Sequence, residues 1–593
     1  MLAPDHRSVL LDLLRPPPEF SLDVAVATTF TLDLEAALVA PLAFAAFDTD
    51  GPGDPIATLE AVRSASDRFT VFCQAGEMRV PQAASDLFAF VEPVVHEVRR
   101  PRAGHLFHPK LWLLRYRDAD DATSIRLLVP TRNLTNDASW DAVLRLDGTP
   151  AGGPDSANKP LADLVRWCCS NTPRGLESAR LAGIESLVES VRRTMWEYPD
   201  GVNEMVFHTL GLAGRKRPDF TGSRHLVISP FVNAEGLEAV APSDSPVVIS
   251  RPDQLELLST DVVAGLDCRW FATPTLGDED EDRPTANLGE LHAKVIVAER
   301  GRRAHVYVGS ANATGAALGG NVEILVELRG GKTALGIDAT LADLAKVTEP
   351  CLIEAGREPG EADELQRAVD DLLRDAALSD MELHVTPAGE ACWQLAVASA
   401  VPLVAASANA RVTVELLSRP GYALEAPAGL PLAGTFDDVS TPDVTPFLVV
   451  RVELDGTTQT VTGATVVRAT LIGDPPGRLD SVIARQVDTP AKFLRFLFLL
   501  LGMSGGGIPS WLQPTGNEAN DGSNDRVVDL IELGVFEALT RALVSSPTAL
   551  DDLGRLVDRL RTTEAGQRTL PEGFDELWEA VRDARSLIGA TEP

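Results

Sequence analysis

Two short segments of the chain carry the same residue types in the same order. The first reads HPKLWLLRY and then IRLLVPTRNLT, and the second reads LHAKVIVAE and then AHVYVGSANAT. Each begins with a histidine and a lysine two positions apart, His108 with Lys110 and His292 with Lys294. Because chance is a poor explanation for matched residues in a matched context, we interpret the two segments as an internal duplication.

Each segment continues with a hydroxyl residue and an asparagine, Thr131-Arg132-Asn133 in the first and Ser310-Ala311-Asn312 in the second. Such a set could cleave a phosphodiester without a metal. A neutral histidine attacks phosphorus, and a second, protonated histidine gives its proton to the departing oxygen and later activates water. Lysine ammonium and asparagine amide groups would stabilise the charge on the non-bridging oxygens.

The geometry of a strand allows both members of a His-x-Lys pair to serve one site, since positions i and i+2 lie on the same face. Each histidine also needs an acceptor that orients its other ring nitrogen. We expect Glu323, which follows Asn321, to orient the second histidine, His292. For His108 the nearest suitable acid is Asp141.

The surrounding patterns indicate an α/β fold. Residues 22–150 alternate strand-like and helical patterns, residues 225–330 repeat that rhythm, and residues 165–220 between them read as a helical connector. After residue 376 the pattern becomes β-rich, and from residue 490 it becomes helical. We therefore predict four units with the bounds 1–190, 191–375, 376–488 and 489–593.

The paired motifs resemble the signatures of the phospholipase D superfamily, in which His-x-Lys precedes Gly-Ser-x-Asn and Asn-x-Glu. The second segment, through VGSANATGAALGGNVEIL, is a close match, whereas the first is similar to the tyrosyl-DNA phosphodiesterase branch. The resemblance covers residues 22 to 340. It implies two α/β lobes, each a mixed sheet flanked by helices, that form one pseudo-twofold catalytic core.

The resemblance also implies roles for individual residues. His108 would be the nucleophile, and His292 would be the general acid and base. Thr131 stands where the superfamily has serine, and Arg132 beside it also departs from the pattern. These departures leave open whether the first half is fully active.

The formal net charge of -33 argues against a general affinity for polyanions. A nucleic-acid substrate would need a local basic surface. The arginines beside the motifs are candidates for phosphate contacts, namely Arg102, Arg132, Arg302 and Arg303. Ordinary solvated surface charge is the alternative explanation for them.

Other features limit the class of protein. The six cysteines form no CxxC pair, which indicates reduced thiols in a cytoplasmic protein. No cluster has the spacing of metal ligands, so we expect neither metal nor cofactor. The N-terminus lacks the pattern of a signal peptide, and no apolar stretch is long enough for membrane insertion.

The favoured function is a nuclease or DNA-end-processing phosphodiesterase. The alternatives are a lipid phosphodiesterase or phosphatidyltransferase, a hydrolase of a small signalling phosphodiester, and a degenerate scaffold of a nucleic-acid-processing complex. Bacterial proteins that share the resemblance belong to DNA-processing or phage-defence systems, which implies a helicase or ATPase partner. One chain supplies both motifs, so the chemistry requires no dimer and the oligomeric state stays open.

Overall fold

The structure of the chain is a computed structural model. Its described residues are 10–47, 62, 64–137, 139–214, 216–271, 290–389, 392–405, 409–479, 481–482, 535–545, 550, 557, 561, 570–571 and 573–589.

The strands, in chain order, are β1 (Ser21–Thr29), β2 (Leu32–Asp33), β3 (Phe69–Gln74), β4 (Met78–Arg79), β5 (Val95–Val98), β6 (Leu111–Arg117), β7 (Thr123–Pro130), β8 (Ser139–Trp140), β9 (Val143–Pro150), β10 (Thr194–Trp196), β11 (Val202–Leu210), β12 (Arg224–Ile228), β13 (Val247–Ile249), β14 (Asp267–Phe271), β15 (Glu290–Leu291), β16 (Val295–Arg300), β17 (Arg303–Gly309), β18 (Glu323–Gly331), β19 (Thr348–Pro350), β20 (Met381–Pro387), β21 (Cys392–Pro402), β22 (Ala410–Leu416), β23 (Ala423–Ala426), β24 (Pro431–Ser440), β25 (Phe447–Asp455), β26 (Thr460–Arg468) and β27 (Thr470–Ile472). The α-helices are α1 (Leu10–Leu14), α2 (Leu34–Phe47), α3 (Lys159–Ser170), α4 (Ser178–Arg192), α5 (Ala234–Val240), α6 (Pro252–Leu255), α7 (Thr260–Ala264), α8 (Gly315–Gly319), α9 (Lys332–Leu335), α10 (Ile337–Leu344), α11 (Glu361–Ala377), α12 (Val535–Ser545) and α13 (Phe574–Gly589).

The first lobe is built on a seven-stranded mixed sheet with the order β10-β9-β7-β6-β1-β3-β5. Strands β1, β3 and β5 are parallel, and β6, β7 and β9 continue the sheet in antiparallel fashion. Every residue of β3, which reads FTVFCQ, is buried. A strand buried on both faces has no exposed side, and this is why its sequence lacks the regular alternation of polar and apolar residues.

The second lobe contains an eight-stranded sheet with the order β11-β18-β17-β16-β12-β13-β14-β19. Its strands β14-β13-β12-β16-β17-β18 repeat the order and the orientations of β5-β3-β1-β6-β7-β9 in the first sheet. Buried side chains of both sheets, such as Leu127 and Val306, belong to one hydrophobic core. The α/β prediction of two mixed sheets flanked by helices is confirmed.

The predicted helical connector is wrong in its second part. Helices α3 and α4 lie where the pattern places them, but Val202–Leu210 forms β11 at the edge of the second sheet. The segment VNEMVFHTL buries five positions at irregular intervals, with exposed Asn203 and Glu204 between Val202 and Met205. This irregular pattern hides a strand, since an edge strand needs to bury only part of one face.

Strands β20 to β27, which follow α11, form two β-sheets, of which one incorporates strands of the first lobe. The six-stranded sheet has the order β2-β4-β26-β25-β22-β23, so β2 and β4 extend it, and a four-stranded sheet, β24-β21-β20-β27, accompanies it. We call these two sheets the accessory sheets. The predicted unit boundaries stay predictions, but the shared sheet joins residues 376–488 closely to the first lobe.

Two sequence features lie outside the described residues, namely the acidic run 277–282 and the apolar stretch 493–503. Within the described ranges, no helix is long and apolar enough to cross a membrane.

Candidate active site

The first motif lies at the start of β6, where the two lobes meet. The backbone N–H of His108 donates to the carbonyl oxygen of Val322 in the second lobe at 2.9 Å. The ammonium group of Lys110 is buried and donates to the carbonyl oxygen of His108 at 3.0 Å. Both side chains of the motif are thus held at the boundary between the lobes.

A carboxylate of the second lobe orients the histidine of the first lobe. Nδ1 of His108 lies 2.9 Å from each carboxylate oxygen of Glu323, which is fully buried at the start of β18. The hydroxyl of Ser310 also donates to this carboxylate, and the side-chain amide of Asn321 donates to it at 3.3 Å. Glu323 therefore has one fixed position, which in turn fixes the ring of His108.

The second motif makes the reciprocal contact. The backbone N–H of His292 donates at 2.7 Å to the carbonyl oxygen of Trp140, and β15 just before it pairs with β8 of the first lobe. The ammonium of Lys294 donates to the carbonyl oxygens of His292 and Thr131, at 2.9 and 3.1 Å. The backbone N–H of each motif histidine thus donates to the residue that immediately precedes the acid of the other lobe, Val322 before Glu323 and Trp140 before Asp141.

The hydroxyl residues of the two motifs occupy equivalent positions. The hydroxyl of Thr131 accepts from the backbone N–H of Ala142 at 2.8 Å, and that of Ser310 accepts from the N–H of Ile324 at 3.0 Å. Threonine therefore performs the same backbone bonding as serine. Asp141 and Glu323, which precede these partners, are equivalent acids under the pseudo-twofold relation.

The expected pairing of acids with histidines within one half is wrong. Glu323, expected to orient His292, contacts His108 instead. For Asp141, expected to orient His108, desolvation raises the pKa of the carboxyl group, and the positive charges of Arg132 and Lys294 oppose this shift. The physical reason is that the strand ends of the two lobes interlock, so each acid lies across the boundary from its own histidine.

Both motif asparagines have an unsatisfied polar atom. The side-chain oxygens of Asn133 and Asn312 are buried, with no hydrogen-bond partner among the described residues. Since an amide can be turned to exchange its oxygen and nitrogen, each can offer either an acceptor or a donor. A buried group of this kind favours a bound polar ligand as its missing partner.

Burial favours the uncharged forms of the motif bases. It lowers the pKa of His108 to about 4, with Glu323 opposing and Lys110 adding to the shift. It also lowers the pKa of His292 to about 4, with Lys294 adding to the shift and Asp137 opposing it.

The two lysines are affected in the same way. Burial lowers the pKa of Lys294 to about 8 and holds the pKa of Lys110 well below its usual range. Because the two lysines and two histidines crowd together, an anion bound among them would favour the charged forms of all four.

One acid near His292 escaped the sequence reasoning. Burial opposes ionisation of Asp137, but the hydroxyl of Thr135, 2.6 Å away, and the positive charges of Arg132 and His292 outweigh it and lower its pKa. Its position between an asparagine and an alanine gives no periodic signal. The sequence does place a hydroxyl residue two positions away on each side, Thr135 and Ser139, and both hydroxyls donate to Asp137. This spacing was the feature that could have indicated a fixed carboxylate.

The four candidate arginines differ in location. Arg132 lies within the site, where its charge lowers the pKa of His292. Arg102 joins the lobes by donating to the carbonyl oxygen of Gly319 at 3.2 Å, and its contact with phosphate stays a prediction.

Arg302 and Arg303 lie in and just after the turn between β16 and β17, at the far end of the strand that leads to Ser310. A strand of this length spans about 20 Å. Contact of these two arginines with a nucleic acid stays a prediction, and at this distance it would involve a phosphate other than the one that is cleaved.

Within the described part of the chain, no three His, Cys, Asp or Glu side chains are placed to hold a metal ion.

The comparisons with known proteins add a distant likeness. No family model matches the chain, and no curated protein matches it. Among solved structures, the crystal structure of a mutant yeast tyrosyl-DNA phosphodiesterase matches with a TM-score of 0.33 and 10% identity, over 55% of this chain and 85% of that chain. The proposed roles of the site residues rest on contacts within this chain.

Proposed function

We propose that the chain is a metal-independent phosphodiesterase, a nuclease or DNA-end-processing enzyme that works through a phosphohistidine on His108. The observation that carries the proposal is the crossed network, in which each lobe binds the histidine loop of the other. This network brings two histidines, two lysines and two asparagines to one boundary. The set supplies a nucleophile, an acid and donors for the phosphoryl oxygens, which together satisfy the requirements of phosphodiester cleavage.

The proposed reaction has two steps. With Nδ1–H donated to Glu323, the Nε2 lone pair of His108 attacks phosphorus, and an N–P bond forms as the P–O bond to the leaving group breaks. His292 gives its proton to the departing oxygen. His292 then removes a proton from water, which attacks phosphorus, and the N–P bond breaks to release a phosphomonoester and neutral His108.

An aromatic residue at the rim of the second lobe favours a nucleic acid as the substrate. Phe231 is 39% exposed, and the guanidinium carbon of Arg251 lies 5.6 Å from the centre of its ring. The next residue, Val232, bridges to Ala313, beside Asn312. An exposed ring with a stacked arginine suits a nucleobase, and each stacked base contributes about 1–3 kcal/mol of binding.

The test is incubation of the protein in EDTA with labelled single- and double-stranded DNA, RNA, and phosphatidylcholine vesicles. We expect cleavage of a nucleic acid, lost in both His108→Ala and His292→Ala. Cleavage that requires magnesium would refute the mechanism, and cleavage of the lipid alone would refute the substrate class. Phe231→Ala should raise KM for the nucleic acid roughly 5-fold or more, since it removes one stacked base.

The covalent intermediate can be trapped. His292→Asn lacks the group that activates water, so an acid-labile phosphoryl group should accumulate on His108 in that variant. A phosphoryl group found on His292 of the wild-type protein would reverse the two roles. If no substrate is cleaved although nucleic acid binds, the chain is a scaffold instead. A role in phage defence and a helicase or ATPase partner stay predictions from the resemblance.

A further inference from the structure

We infer that Arg374 of helix α11 is a positioning residue for the nucleophile, so that the helix leading into the accessory sheets belongs functionally to the active site. This inference rests on the proposed function. Its observations are a chain of contacts from Arg374 through Glu77 and Phe30 to His108. Arg374, Glu77 and Phe30 lie outside both motifs.

The first contact is a largely buried ion pair between α11 and the first lobe. Nε and Nη2 of Arg374 each lie 2.8 Å from Oε1 of Glu77, and the side chains are 14% and 16% exposed. Burial raises the pKa of Glu77 to about 7, and the charge of Arg374 opposes this. The charge of Glu77 in turn acts on Lys110 of the first motif.

The second contact is through Phe30, which follows β1. The guanidinium carbon of Arg374 lies 6.0 Å from the centre of the Phe30 ring. The same ring centre lies 5.2 Å from that of His108 and 6.0 Å from the ammonium nitrogen of Lys110. Phe30 therefore touches both the nucleophile and its lysine, and Arg374 packs on Phe30.

The helix that carries Arg374 is seated closely against the first lobe. Gly76 has a φ of +82°, and a Cβ at this position would lie 2.6 Å from the Cα of Arg374. At the next residue of the helix, the carboxylate of Asp375 accepts from Arg100 of the first lobe at 2.7 Å. Because the backbone approaches this closely, the position of Arg374 follows directly from the docking of α11.

Arg374 is better suited to positioning than to binding substrate. Its guanidinium group already faces the carboxylates of Glu77, Asp370 and Asp371. These acids offset its positive charge, so it adds little attraction for a phosphate. What it supplies is a flat, fixed surface behind Phe30 and a counter-charge for Glu77.

The experiment compares Arg374→Gln, Arg374→Lys and the exposed Arg367→Gln control on the same helix, all in the full chain. With a labelled oligonucleotide, we expect Arg374→Gln to lower kcat about 10-fold or more and leave KM within 2-fold, because the nucleophile loses its alignment while substrate contacts remain. Arg374→Lys keeps the charge without the flat surface and should recover only part of kcat. Arg367→Gln should match the wild type.

A second variant separates folding from positioning. Arg374→Gln leaves Glu77 buried without its partner, so this variant should unfold at a lower temperature. The double variant Glu77→Gln/Arg374→Gln removes that charge and should regain thermal stability without regaining kcat. Recovery of full kcat in the double variant, or unchanged kcat in folded Arg374→Gln, would overturn the inference. If the wild type cleaves no phosphodiester, the proposed function fails first, and that outcome is distinct from these two.

Discussion

Replacement of Glu323 by glutamine tests the crossed network most directly, because it keeps the shape of the side chain and removes its charge. In the wild type, the carboxylate accepts from Nδ1 of His108 at 2.9 Å and leaves Nε2 free to attack. Glutamine can donate to Nδ1 through its amide, and this would place the ring proton on Nε2. The nucleophile would then be protonated where it must react.

The size of the effect follows from the bond that is lost. A hydrogen bond to a charged group contributes about 1.5–3 kcal/mol, which corresponds to roughly 10- to 150-fold in kcat. The wrong tautomer adds to this, and in the serine-protease triad the comparable change of aspartate to asparagine costs about 10⁴-fold. We therefore expect Glu323→Gln to lower kcat about 100-fold or more with little change in KM.

The assay compares an oligonucleotide with bis(4-nitrophenyl) phosphate, whose leaving group needs little help from a general acid. Glu323→Gln should slow attack on both substrates, since it impairs the nucleophile. Asp141→Asn, the equivalent change on the opposite side of the boundary, should slow the oligonucleotide more than the nitrophenyl ester. If Glu323→Gln retains more than a third of the wild-type kcat, His108 does not depend on this carboxylate and the mechanism is wrong.

Three further results are expected. The reaction needs neutral His108 and protonated His292, and burial lowers the pKa of each to about 4. We therefore expect kcat/KM to fall as pH rises from 5 to 8, while bound phosphate moves the optimum of kcat to higher pH. A pH-independent kcat/KM would contradict this. Arg132→Gln should alter this pH profile and Arg303→Gln should not, when the two variants are measured side by side, because of these two arginines Arg132 is the one whose charge acts on His292. Equal effects of the two variants would contradict the placement of Arg303. Gly236→Ala would place a Cβ 2.1 Å from the carbonyl oxygen of Ala313 and should lower the free energy of unfolding by about 1–3 kcal/mol. An unchanged melting temperature would show that helix α5 and the loop at Ala313 are not packed this closely.

Sequence patterns predicted most of the two α/β lobes because their signals are local. The apolar segment LWLLRY predicts a strand and forms Leu111–Arg117, and the segment NAEG predicts the start of a helix, which begins at Ala234 with Asn233 as its N-cap. Boundaries shifted by one to three residues in most cases. The apolar pattern of residues 225–232 predicts one strand, but the observed strand ends early, at Ile228, because the following residues turn to bond with the Asn312 loop.

The parts that could not be predicted depend on contacts between distant segments. Glu323 and His108 are 215 residues apart, and nothing in the pattern around either residue indicates which lobe supplies the partner. The same holds for β4, which joins the accessory sheet by pairing with β26 more than 380 residues later. Arg374 gave no signal either, because its helix is amphipathic in the ordinary way and its role depends on the docking of that helix.

The asymmetry of the site favours the assignment of His108 as nucleophile and His292 as acid. A nucleophile needs one fixed tautomer, and His108 is buried with a direct bond to a carboxylate that is itself held by Ser310 and Asn321. An acid must exchange its proton with water between the two steps, and His292 is the more exposed of the two rings. Arg132 stands where the second motif has Ala311, so the duplication has diverged on the side of His292. A positive charge there disfavours protonated His292 until the phosphate arrives, which ties the delivery of its proton to the presence of substrate.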